Sequence, residues 1–134
     1  MNEKTATKTV IWPTLRYNDA RAAIKFLVDL GFEEVAVYGE GAQVDHAELS
    51  WPGGGGVMLG SAQREDSVIN ELAPGSGSVY VVIDNPDEVH ERAVRMGANI
   101  VRGLTDEDYG SRGFTARDPE GVYWSFGTYG GARG

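Results

Sequence analysis

Trp12-Pro-Thr-Leu-Arg-Tyr-Asn-Asp19 and Ser78-Val-Tyr-Val-Val-Ile-Asp-Asn85 decide the fold. Each is a strand-like run that ends in a residue able to cap a helix. Each is followed by a helical pattern that closes on glycine, Gly31 in the first case and Gly97 in the second. In the first helix Ala23, Phe26, Leu27 and Leu30 recur at i, i+3, i+4 and i+7. In the second, Val89, Ala93 and Met96 make a thinner apolar stripe. Pro86 stands at its first position, where a missing N–H costs nothing. Such an internal repeat predicts two pseudo-symmetric modules that bury a face against each other.

Working outward, period-two alternation predicts strands over 9–17, 32–38, 42–51 and 56–61. A second set falls at 78–84, 99–102, 113–117 and 122–128. Residues 104–112 read as a polar loop. Gly53–Gly56 reads as a hairpin turn, because it lacks the Lys-Ser/Thr and the following helix of a phosphate loop. The plan is βαβββ twice, an α+β fold with helices on one side of curved mixed sheets and a cavity on the other. The expected organisation is a disordered tail at 1–8, a first module at 9–61, a linker at 62–77, a second module at 78–128 and a tail at 129–134.

Composition narrows the function. The chain has 134 residues and a formal charge of −8, with 12 basic residues against 20 acidic ones. Phosphate backbones demand clustered cations, so nucleic acid is not an expected partner. No apolar run approaches the about 18 residues of a membrane span. The absence of cysteine removes disulfides, thiolate metal sites and thiol nucleophiles, and fits a cytoplasmic location.

The runs W-P-T-L-R-Y-N-D, A-A-I-K-F-L-V-D-L-G-F and R-G-F-T-A-R-D-P-E-G-V-Y-W-S-F resemble the vicinal oxygen chelate superfamily, which holds glyoxalase I, bleomycin-resistance proteins and extradiol dioxygenases. The resemblance covers about residues 9–128. It implies that enzymes of the group hold a divalent metal through His, Glu or Gln at positions occupied here by Trp12, Met58, Ser78 and Ser125. Indole, thioether and neutral hydroxyl are poor ligands for a hard cation. The chain is therefore closest in character to metal-free, bleomycin-resistance-like members, with no cofactor and no catalytic residue.

Strand alternation places Trp12, Thr14, Arg16, Ser78, Tyr80, Val82, Tyr123 and Ser125 on the cavity face. His46, Glu48 and Met58 join them, and Phe114 and Trp51 are placed near its rim. Aromatic and hydroxyl-rich walls suit flat ligands, and a ligand cation gains over an indole face. The expected function is sequestration of an antibiotic-like small molecule by a homodimer, with arm exchange across the linker. The competing reading is a metal-dependent lyase, isomerase or dioxygenase whose ligands have moved to His46 and Glu48. Their spacing of two also suits a general base and its orienting partner. A lone pair of polar residues is, equally, what the wet side of any half-exposed strand carries. His90, among Glu88, Glu91 and Arg92, reads as solvent-facing. The acidic runs Glu33-Glu34, Glu65-Asp66 and Asp106-Glu107-Asp108 read as solvated, and Asp118 as a turn residue that binds backbone amides.

Overall fold

The computed structural model describes residues 10–62, 72–108 and 110–132. The tail at 1–8, most of the linker and Glu65-Asp66 lie outside the described residues. The elements run β1 (Thr14–Tyr17), α1 (Ala20–Leu30), β2 (Glu33–Tyr38), β3 (His46–Ser50), β4 (Gly56–Ser61), β5 (Ser78–Val82), α2 (Pro86–Arg95), β6 (Asn99–Asp106), β7 (Arg112–Arg117) and β8 (Tyr123–Gly127). They form two four-stranded mixed sheets. Sheet A has the order β1-β4-β3-β2, sheet B the order β5-β8-β7-β6. In each, the first and last strands of the module pair in parallel and the others antiparallel. The repeated α+β plan read from the sequence is the observed one.

Several boundaries move, each for a local reason. β1 begins at Thr14, because Pro13 has no N–H to donate to the ladder; its carbonyl still accepts from Met58 N at 2.9 Å. β3 begins at His46, after a bend that brings Asp45 N to Tyr38 O. β6 runs on to Asp106 through residues expected to loop, with Thr105 opposite Gly113 and Asp106 opposite Arg112. Arg112 accounts for this: its guanidinium reaches Asp106 at 3.1 Å and Asp87 on α2 at 2.7 Å. Hydrogen bonding to Arg112 holds the Asp87 carboxyl below its usual range. Glu107 likewise pairs with Arg102 at 2.7 Å, so the 106–108 cluster is not merely solvated.

The helix-bearing faces of both sheets share one core. Leu27 and Leu30 of α1, Val89 and Ala93 of α2, Leu49 and Val57 of sheet A, and Phe114, Trp124 and Phe126 of sheet B belong to it. Phe32 meets Trp124 edge-on with ring centroids 5.5 Å apart, and Trp51 meets Phe126 at 5.6 Å, joining the modules. Arg92 of α2 donates to Leu30 O at 2.9 Å and so stops α1 from the other module. Gly31 is required there, since a Cβ would lie 2.8 Å from Arg92 Nη1 and its φ is +140°. Asp19, rather than Asn18, caps α1 by accepting from Ala22 N. Asn85 does not cap α2 through its side chain, which donates to Glu88 instead.

A polar clasp sits within this junction. Tyr17, fully buried, donates to Asp118 Oδ2 at 2.6 Å. Glu120 accepts from Asn18 N and Asp19 N, both at 2.7 Å, and so covers the approach to α1 from the second module. Burial first, then the hydrogen bond to Asp118 and its charge, push the Tyr17 phenol far above its ordinary value. The folded chain keeps a proton that the unfolded chain gives up near pH 10. Stability from this source is whole below that pH and is lost as the pH rises past it, by about 1.4 kcal/mol per unit. Tyr17→Phe removes the dependence. Urea unfolding should find the wild type ahead of the variant at about pH 8, and the gap should narrow toward about pH 11.

Candidate functional site: two open sheet faces

The face of each sheet that the helices leave bare collects most of the residues singled out in the sequence. On sheet A, cross-strand register sets Thr14 beside Met58, Met58 beside Glu48 and Glu48 beside Ala36. One step along, Arg16 lies beside Gly60 and His46 beside Tyr38. Trp12 is half-buried against Gly56, where a Cβ would fall 2.9 Å from its ring. Arg16 is 7% exposed. His46 Nε2 and Glu48 Oε2 are 2.9 Å apart, and the His46 ring stacks on Tyr38 with centroids 6.2 Å apart.

Sheet B presents three rows. Ser78, Tyr123, Arg117 and Asn99 form the first; Tyr80, Ser125, Thr115 and Arg102 the second; Val82, Gly127, Gly113 and Thr105 the third. The Arg117 guanidinium lies 4.8 Å from the Tyr123 ring centroid. Thr115 and Ser125 hydroxyls are 2.8 Å apart, and Tyr80 donates to Tyr129 O at 2.8 Å.

Three placements differ from the sequence reading. Phe114 is not at a rim: it is 2% exposed on the helix side, stacked on Phe126 at 5.4 Å. Its even partner in the alternation, Thr115, takes the open face. His90 is not turned to solvent but packs edge-on against Phe114 at 5.1 Å, because α2 lays that flank on sheet B. Trp51 belongs to the module junction. The single shared cavity also resolves into two half-cavities. The helix sides meet in the core, so the open faces lie outside it, with Tyr38 60%, Tyr80 48% and Tyr123 42% exposed.

The four metal positions fall in two pairs on these faces. Trp12 and Met58 are on sheet A, Ser78 and Ser125 on sheet B. They offer no imidazole or carboxylate, and so do not fit a divalent ion. Among the described residues no three His, Cys, Asp or Glu side chains come together. No described helix is long and apolar enough to cross a membrane.

The profile of the Glyoxalase/Bleomycin resistance protein/Dioxygenase superfamily matches residues 9–126. The chain belongs to this superfamily. Among solved members of the fold, TioX from Micromonospora sp. ML1 superposes with a TM-score of 0.78 at 29% identity, covering 90% of this chain and 98% of that one. A glyoxalase/bleomycin resistance protein/dioxygenase from Nocardioides gives 0.67 at 23% identity over 97% and 91% of the two chains, a likeness of fold. An uncharacterised protein of Mycobacterium bovis is 30% identical over 123 residues, 86% of this chain and 80% of its own length. The superfamily resemblance read from the sequence is thus the family observed.

Proposed function

We propose that this chain is a non-catalytic small-molecule binding protein, holding a flat, antibiotic-like ligand between the open faces of two copies. The observation that carries the reading is the replacement of all four superfamily metal positions by Trp12, Met58, Ser78 and Ser125 on faces otherwise rich in rings and hydroxyls. Affinity then comes from covering ligand area with Trp12, Tyr80 and Tyr123. Glu48 and the net charge of −8 favour a ligand that also carries a cationic group.

A homodimer follows from the bare faces, since one chain covers only one side of the ligand. The proposed exchange runs across the linker at 62–77 and pairs the first module of one copy with the second of the other. Light scattering should find twice the 14.4 kDa chain mass; a monomer at micromolar concentration removes the dimer.

Native mass spectrometry of freshly purified protein tests the reading directly. The expected species is a dimer with a co-purified organic molecule and no stoichiometric metal. Trp12→Ala should weaken rebinding of that molecule about tenfold, as loss of one stacked ring predicts, with the far-ultraviolet spectrum unchanged. Unaltered affinity in calorimetry would count against the site.

A second reading draws on the 2.9 Å His46–Glu48 contact: a metal-dependent lyase, isomerase or dioxygenase with relocated ligands. Elemental analysis separates the two. About one equivalent of zinc, nickel, iron or manganese per chain, lost in His46→Ala, would favour the enzyme, because a stable centre needs about three protein ligands and the pair would have to be two of them.

A further inference from the structure

Sheet B carries a hollow in its open face, beside Tyr80 and Ser125. Gly113 and Gly127 face each other across β7 and β8 and remove two side chains from the third row of the open face. The result is a recess of about 180 Å³ bordered by Tyr80, Arg102, Glu107, Ser111, Thr115 and Ser125. A cavity of roughly 150 Å³ accepts one benzene ring. The recess therefore has the size of one six-membered ring with a substituent, and not of a fused tricycle.

Its polar groups have a direction. The Thr115 and Ser125 hydroxyls bond each other, which uses one O–H and leaves the other without an acceptor among the described residues. Ser111 Oγ receives Tyr129 N at 3.1 Å and Thr128 Oγ1 at 3.4 Å, so its own O–H likewise finds no acceptor among them. Arg102 and Glu107 pair with each other at 2.7 Å, so the groups left over in this recess are hydroxyl donors. A guest satisfies them with acceptors, meaning a ring nitrogen or a carbonyl; an ammonium group has to compete with Arg102 for Glu107. Tyr80 supplies the aromatic wall. Its hydroxyl end is held in place by the bond to Tyr129 O and lies over Gly127, where a Cβ would fall 2.8 Å from the Tyr80 hydroxyl.

We propose that this glycine-floored recess is a subsite for one planar ring bearing hydrogen-bond acceptors, stacked on Tyr80 and bonded by the Thr115–Ser125 pair and Ser111. It rests on the binding function above and adds the chemistry of one part of the ligand. The acceptor-bearing ring enters sheet B, while any cationic group lies toward Glu48 on sheet A.

Nicotinamide is a suitable probe, being planar, uncharged and furnished with both acceptor types; benzylamine is its cationic counterpart. In two-dimensional ¹H–¹⁵N spectra of the whole chain, nicotinamide should shift the amides of Gly113, Thr115, Ser125 and Gly127 with millimolar affinity, as befits a fragment of this size. Benzylamine should leave them still. Ser125→Ala, which removes the hydroxyl and adds no bulk, should weaken nicotinamide about fivefold. Tyr80→Leu should abolish the shifts, with spectral dispersion showing that both variants fold. Benzylamine shifting these amides as strongly, or Ser125→Ala and Tyr80→Leu both binding like wild type, would overturn the subsite. Nicotinamide shifts confined to Trp12, Met58 and Glu48 would overturn it too, while leaving binding on the other sheet intact. The Trp12→Ala experiment reads the broader function separately, because Trp12 lies on sheet A.

Discussion

Asp118→Ala is expected to lower the unfolding free energy by about 4 kcal/mol. Asp118 is 5% exposed. Its Oδ1 accepts from the backbone of Glu120 at 3.0 Å, Gly121 at 2.9 Å and Val122 at 3.0 Å, which holds the turn into β8. Its Oδ2 accepts from Tyr17 of the first module at 2.6 Å and from the Trp124 indole at 3.0 Å. Alanine leaves all of these donors without the carboxylate, and the phenol and indole are too deeply buried for bulk water to reach. Each stranded donor costs about 1–3 kcal/mol, and the costs overlap because the groups share one acceptor. Asp118→Asn keeps the shape and part of the acceptance, and should lose about half as much. Urea unfolding gives both values. A loss under about 1 kcal/mol for alanine would show that the clasp does not join the modules.

Phe126→Ala should cost a comparable amount, about 3–5 kcal/mol, by opening a cavity rather than by stranding donors. Phe126 is 1% exposed and stacks on Phe114 at 5.4 Å. It also meets Trp51, from the turn after β3, at 5.6 Å. The void would open between the two modules, where neither sheet can close it without moving the other. Phe126→Leu should recover most of the loss, since it restores much of the volume. Full tolerance of alanine in thermal unfolding would mean that the Phe126 contacts do not hold the modules together. The two changes act at opposite kinds of contact and have no shared partner, so their losses should add.

The repeated βαβββ plan was legible because it is written in short-range terms. Alternation places Val57 and Leu59 inward and Met58 outward, and the same period sends Trp124 and Phe126 to the core and Ser125 to the open face. Nearly all the candidate residues were therefore assigned the correct face. Phe114 was not, although the same alternation with Thr115 carried the signal. The length of β6 was hidden for a different reason. Thr105, Asp106 and Glu107 look like a loop until β6 pairs with β7 and Arg112 closes on Asp106 and on the distant Asp87 of α2.

Residue type and spacing by themselves determined the fold, the family, the two faces and the missing metal donors, because each depends on periodicity or on the chemistry of single side chains. Tertiary structure alone decided four things. It joined the helix sides of the modules in one core, turned the expected cavity into two exposed halves, and gave Asp118 its partner in Tyr17. It also placed Gly113 against Gly127 to form the recess. These depend on which faces meet and which strands pair, and such contacts are settled by the burial and hydrogen bonding of residues far apart in the chain.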